Sequence, residues 1–246
     1  MRGAANAIGS GIMLSMQQDI KFVSETRTLA ATICTPAHRS NGEPGGGVVF
    51  VHGLGSNRRG YVEYGERVAA QLGLTCLALD LSGHGSGSGY DDSFSPRQHL
   101  QDVLAAWDEL TGRYGADAER IGVCGSSYGA CLAVLMTQHR KVARLLLRAP
   151  AMVADADLDR PLRRRSRDRD PASASVLLGG LSGFHGPALV VESGNDEEIP
   201  HEIVEGYLGA LPNAGHTVIA YATHALSQPE WREAFVQQLL SFFADL

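Results

Sequence analysis

Residues 125–129 read Gly125-Ser126-Ser127-Tyr128-Gly129, a serine centred between two glycines. The apolar run "RIGVC" precedes it and the apolar stretch "YGACLAVLMTQH" follows. Strand, sharp turn and helix in that order raise the central serine out of the chain, and Gly125 and Gly129 leave room for the turn to close. A serine hydroxyl is a weak nucleophile at neutral pH. It needs a base to take its proton and an acid to orient that base. Two later apolar runs end in such groups: "ALVVES" leads into "GNDEEIP", and "HTVIAYA" leads into "THALSQPEW". These supply an acid near Asp196 and a base at His224. With Ser127 as nucleophile, His224 as base and Asp196 as acid, the chemistry would be acyl transfer through a covalent intermediate. Ser126 takes the variable slot, because centring the motif on it would require Cys124 to act as the first glycine.

The elements needed to hold these residues are legible around them. "DIKFVSE" and "TLAATICT", split by Thr26 and Arg27, alternate as an antiparallel hairpin. The runs at 48–52, 74–81, 120–125, 143–149, 188–193 and 216–222 are continuously apolar, as in parallel strands buried on both faces. Between 95 and 113, Leu100, Val103, Leu104, Trp107 and Leu110 recur at three- and four-residue spacing on one helix face. That helix opens with Ser95-Pro96-Arg97-Gln98, a capping box, and the last helix reads the same way from Ser227 and runs to Phe243. The alternation predicts one α/β domain over 19–246, a mostly parallel sheet of about eight strands with helices on both faces. Residues 1–18 read as a flexible leader too weakly apolar for a signal peptide.

Composition narrows the function. The net charge is −6 over 246 residues, which argues against a nucleic-acid partner. No apolar run reaches the length of a membrane span. The four cysteines, Cys34, Cys76, Cys124 and Cys131, sit among apolar residues without metal-ligand spacing, so they read as buried thiols suited to a reducing, cytoplasmic setting. Residues 155–170 carry six arginines against five aspartates. This stretch reads first as a solvated excursion, and alternatively as a short cap, within about 151–186, beside an active site. "GSNRRG" at 55–60 lacks the Lys-Ser/Thr pair of a phosphate loop, and "GHGSGSG" lacks dinucleotide-binding phase. No cofactor or metal is expected.

The motifs "VVFVHGLGSN", "LALDLSGHGSG", "GVCGSSYGA", "VVESGNDEEIPHE" and "THALS" occur in that order. Together they resemble the α/β-hydrolase superfamily over nearly the whole chain, and "GSSYG" is similar to the elbow of prolyl-oligopeptidase-type acyl hydrolases. The resemblance implies the α/β-hydrolase fold with a minimal cap, and the order Ser127, Asp196, His224 for the triad. It implies an oxyanion hole from the backbone N–H groups of Leu54, after His52-Gly53, and Tyr128. Ser86 departs from the family's pattern and receives no role. For the acid, Pro200 is spaced to favour Asp196, whereas Gly194 is spaced to favour Glu197, with Glu198 also close by. His52 and Asp80 read as supports of turns, His216 as the start of its strand, and His201 as the start of a helix.

The reading that follows is a serine hydrolase acting on a carboxylic ester or related small acyl compound. Peptidase, thioesterase and acyltransferase activities use the same triad. A non-catalytic ligand-binding protein on the same fold is the alternative of another class.

Overall fold

A computed structural model describes residues 15–37, 44–85, 90–166 and 171–246. Eight strands form one sheet: β1 (Ser15–Ser24), β2 (Arg27–Pro36), β3 (Gly47–Val51), β4 (Thr75–Leu79), β5 (Ile121–Ser126), β6 (Arg144–Arg148), β7 (Ala188–Ser193) and β8 (Ala214–Ile219). Their spatial order is β1-β2-β4-β3-β5-β6-β7-β8. The hairpin β1–β2 and the β2–β4 pair are antiparallel, and every pair from β4 to β8 is parallel.

The central strands explain their apolar runs. In β3, Val49 and Val51 pack in one core layer and Val48 and Phe50 in the other. In β6, Leu145 and Leu147 face one layer and Leu146 the opposite one. A strand covered on both faces needs both of its side-chain rows apolar. One layer holds α1 (Arg59–Leu72) and α6 (Pro229–Phe243). The other holds α2 (Pro96–Gly112), α3 (Tyr128–Thr137), α4 (Ser175–Gly183) and α5 (His201–Ala210). The chain runs from β3 outward to β4 and then crosses back to β5 on the other side of β3. At such a reversal the loops diverge and leave a crevice at the carboxyl ends of the strands.

Several boundaries differ from the expectation. β1 starts at Ser15 and pairs with β2 as far as Pro36, so residues 15–18 belong to the sheet and not to a leader. Residues 1–14, and Ser86 in the glycine-rich turn, lie outside the described residues. β8 starts at Ala214 and ends at Ile219, so His216 is its third residue and not its first. The capping box of α2 forms as read: the Gln98 N–H donates to Ser95 Oγ at 3.3 Å, and the Ser95 N–H donates to Gln98 Oε1 at 2.9 Å. The second one does not. α6 is capped by Gln228 with no side-chain bond, because Pro229 occupies the first helical position and leaves Ser227 one residue too early.

Of the Arg/Asp-rich segment, residues 155–166 are packed in part rather than solvated throughout, and residues 167–170 lie outside the described residues. Leu158 and Leu162 are buried in the core. Backbone bonds from Arg97 N–H to Leu158 O, Leu162 N–H to Phe94 O and Arg163 N–H to Asp92 O tie the segment to the start of α2. Asp157 is also buried, with Oδ2 accepting from the Ser166 N–H at 2.8 Å and Ser166 Oγ at 2.6 Å.

Candidate active site

Ser127 lies between the last residue of β5 and the first of α3, with φ 53° and ψ −121°. A positive φ in a non-glycine residue costs energy and persists only where the surroundings impose it. Here the surroundings are close-fitting. A Cβ on Gly125 would meet Gly129 O at 2.4 Å, and a Cβ on Gly129 would meet Val51 O at 2.3 Å. The turn is further tied by Ser127 N–H to Arg148 O at 2.9 Å and Ala151 N–H to Ser127 O at 3.1 Å.

The loop after β3 lies against this turn. A Cβ on Gly53 would sit 3.2 Å from Ser127 Cβ. The Leu54 N–H donates to no group among the described residues. Tyr128 is the first residue of α3, where helical N–H groups lack an intrahelical acceptor. Leu54 and Tyr128 both line the cavity at the crevice.

His224 follows β8, and its Nδ1 lies 2.8 Å from Asp196 Oδ2. Asp196 Oδ1 accepts from the N–H groups of Glu198 and Ile199, each at 2.9 Å. Burial works against the charge on Asp196. The His224 bond and the two backbone N–H groups outweigh it and hold the carboxyl below its ordinary range. Glu197 and Glu198 are exposed. Glu198 Oε2 lies 3.8 Å from Nε2 of His224, on the ring edge away from Nδ1. The geometry thus brings Asp196, rather than either glutamate, to Nδ1. Ser127, Tyr128, Leu54 and His224 all line one cavity of about 780 Å³ at the crevice.

The histidines left over have settled positions. His52 donates from Nδ1 to Gly53 O at 2.8 Å and accepts at Nε2 from the Leu81 N–H at 3.1 Å. His84 takes the Gly55 N–H on Nε2 and gives Nδ1–H to Ser82 O. His99 gives Nε2–H to Ser82 O and accepts at Nδ1 from Tyr128 Oη at 3.0 Å. Each ring uses one donor and one acceptor, which only the neutral form supplies. Burial drives the His52 pKa down to about 4 and lowers those of His84 and His99. Asp80 holds the loop instead, through the Arg58 N–H at 2.7 Å and the Arg58 guanidinium. His201 and His216 both bind Glu192, at 2.7 and 2.9 Å, and neither lines the cavity. The four cysteines are free and buried, and burial raises their thiol pKa values. Among the described residues no group of three His, Cys, Asp or Glu gathers as a metal site, and no helix is long and apolar enough to cross a membrane.

Sequence reasoning gave no role to one charged residue of this cavity. Arg148, at the carboxyl end of β6, is 8% exposed and lines it. The available signal was a charge closing the otherwise apolar run Leu145–Leu147 at the crevice end of the sheet. The packed segment also contributes, through Met152, Asp157, Leu162 and Arg165.

Sheet order, elbow and the acid–histidine pair after two later strands define an alpha/beta hydrolase architecture. The chain belongs to the alpha/beta hydrolase family, whose model matches residues 48–237. It is 30% identical over 159 residues to the uncharacterized protein Rv2307c of Mycobacterium tuberculosis, covering 59% of this chain and 54% of that protein. It is 28% identical over 170 residues to human alpha/beta hydrolase domain-containing protein 17C, covering 68% of this chain and 46% of that protein. The chain thus spans about half the length of these curated relatives. In fold it is similar to Est1E of Butyrivibrio proteoclasticus, solved with ferulic acid bound: TM-score 0.74 at 18% identity, covering 92% of this chain and 98% of that one.

Proposed function

We propose that the protein is a serine hydrolase cleaving a carboxylic ester or related acyl bond. The observation that carries the reading is the 2.8 Å bond between His224 Nδ1 and Asp196, on a cavity that also exposes Ser127 at a positive-φ elbow. In this mechanism Ser127 Oγ attacks the acyl carbonyl while His224 Nε2 takes its proton. Asp196 keeps the Nδ1–H tautomer and stabilises the imidazolium. The N–H groups of Leu54 and Tyr128 receive the developing oxyanion, a contribution of about 3–4 kcal/mol per donor in comparable sites. His224 then protonates the leaving group, and water, activated by the same imidazole, releases the acid. The described residues of 151–186 act as a short cap over the cavity.

Hydrolysis of short-chain p-nitrophenyl esters tests this reading. The wild type turns them over, and Ser127→Ala lowers kcat by about 10⁴-fold or more. Equal turnover by the folded variant would remove Ser127 from the mechanism. Binding of such compounds without any turnover by the wild type would favour the ligand-binding alternative.

A further inference from the structure

Arg148 is more than nine-tenths buried, yet it has no carboxylate partner among the described residues. Its Nε donates to Ser126 Oγ at 3.3 Å, and Nη1 donates to His224 O at 2.7 Å. Nη2 makes no hydrogen bond among the described residues, and it is not among their fully buried unpartnered polar atoms. Arg148 lines the cavity, which leaves Nη2 as the guanidinium nitrogen available to a ligand there. The groups around it do not supply the missing charge. Burial raises the pKa values of Tyr61, Tyr64 and Cys124, keeping all three neutral beside it. Asp157, a buried acid that also lines the cavity, accepts from Ser166 through Oδ2, and its Oδ1 lies 3.6 Å from the Arg160 guanidinium. Glu197 and Glu198 also line the cavity but are exposed to solvent, where their charges are screened.

A buried cation without a counter-charge is costly, and an arginine fork with unused N–H groups recognises a planar anion. We propose that Arg148 binds a carboxylate of the substrate, so that the enzyme selects acyl compounds carrying one negative charge close to the scissile carbonyl. This rests on the serine-hydrolase reading for the reaction, although the anion site stands on its own geometry. Arg148 bonds to Ser126, the chain neighbour of Ser127, and to the backbone of His224, and it lines the same cavity as both, which favours a short separation between carboxylate and ester. Half-esters of short dicarboxylic acids have that form. One guanidinium balances one charge. A phosphate dianion would leave one charge unbalanced by the guanidinium.

The test compares monomethyl with dimethyl esters of malonic, succinic and glutaric acids, together with calorimetric binding of free succinate, glutarate and inorganic phosphate. The wild type should favour at least one monomethyl ester by about tenfold or more in kcat/KM. Arg148→Met should bring that preference within about twofold, and Arg148→Lys should retain part of it. A purely structural role for Arg148 predicts equal losses on charged and neutral esters, and that result overturns the proposal. So does a wild-type preference for the dimethyl esters across the series, which needs no variant to fold. Binding of a dicarboxylate to Ser127→Ala that is lost in Ser127→Ala/Arg148→Met supports the site even if no ester is turned over, in which case only the hydrolase reading fails. Phosphate binding through Arg148 without carboxylate binding also overturns it.

Discussion

At the scale of single residues, the site depends on which acid meets His224. The sequence offered Asp196, Glu197 and Glu198 with conflicting spacings, one from Gly194 and one from Pro200. Three hydrogen bonds converge on the Asp196 carboxylate, from His224 and from the Glu198 and Ile199 N–H groups. The backbone bonds fix an Asx-type turn that a longer glutamate side chain at 197 would not close in the same way. Asp196→Asn is therefore expected to lower kcat by about 10³–10⁴-fold with little change in KM, because the histidine loses its preferred tautomer. Glu197→Gln should stay within about threefold. Steady-state kinetics on a single ester separate the two, and the reverse ranking would reassign the acid. Ser127, His224 and Asp196 were legible in sequence because each is tied to the end of an apolar strand. Arg148 has the same placement, but a lone arginine has no motif around it, and only packing shows that it lacks a counter-ion.

At the scale of elements, local sequence rules succeeded where they acted alone and failed where neighbours intervened. Ser95 and Gln98 close a reciprocal capping box at α2. Ser227 has similar surroundings in sequence, but Pro229 sets the first turn of α6 and Gln228 becomes the cap. Ser95→Ala should cost about 1 kcal/mol of stability, and Ser227→Ala only a few tenths. Denaturant midpoints measured on both variants check this, and a larger loss for Ser227→Ala would contradict it. The Arg/Asp-rich segment misled for a related reason. Its charges suggested first a solvated loop, whereas Asp157, Leu158 and Leu162 turn inward while Arg160, Arg163 and Arg164 stay exposed and Arg165 reaches the cavity rim. Short 3-10 turns at Asp155–Asp157 and Leu162–Arg164 produce that sorting, and they leave no long apolar period in the sequence.

At the scale of the whole molecule, the sheet reversal that opens the crevice is backed by neutral buried histidines, and this couples stability to pH. The His52 pKa falls to about 4 in the folded protein from an ordinary 6.5, so the unfolded chain binds more protons between those values. Stability is therefore highest above pH 6.5 and declines as pH falls toward 4, by on the order of 3 kcal/mol from His52. His84 and His99 shift in the same direction. Asp196, with a lowered carboxyl pKa, adds a further loss at more acid pH. The exposed His201 is raised by Glu192 and acts in the opposite sense, losing its contribution as pH rises. Melting temperatures taken from pH 7.5 to 4.5 should drop progressively below pH 6.5, and a flat profile would show that the buried rings accept protons without penalty.

The central claim is that Ser127 is the nucleophile, and labelling with a serine-directed fluorophosphonate tests it most directly. Intact-mass spectrometry should show one adduct on the wild type, mapped by peptide sequencing to Ser127, and none on Ser127→Ala. An adduct that persists in Ser127→Ala, or that maps to Ser126, would contradict the account.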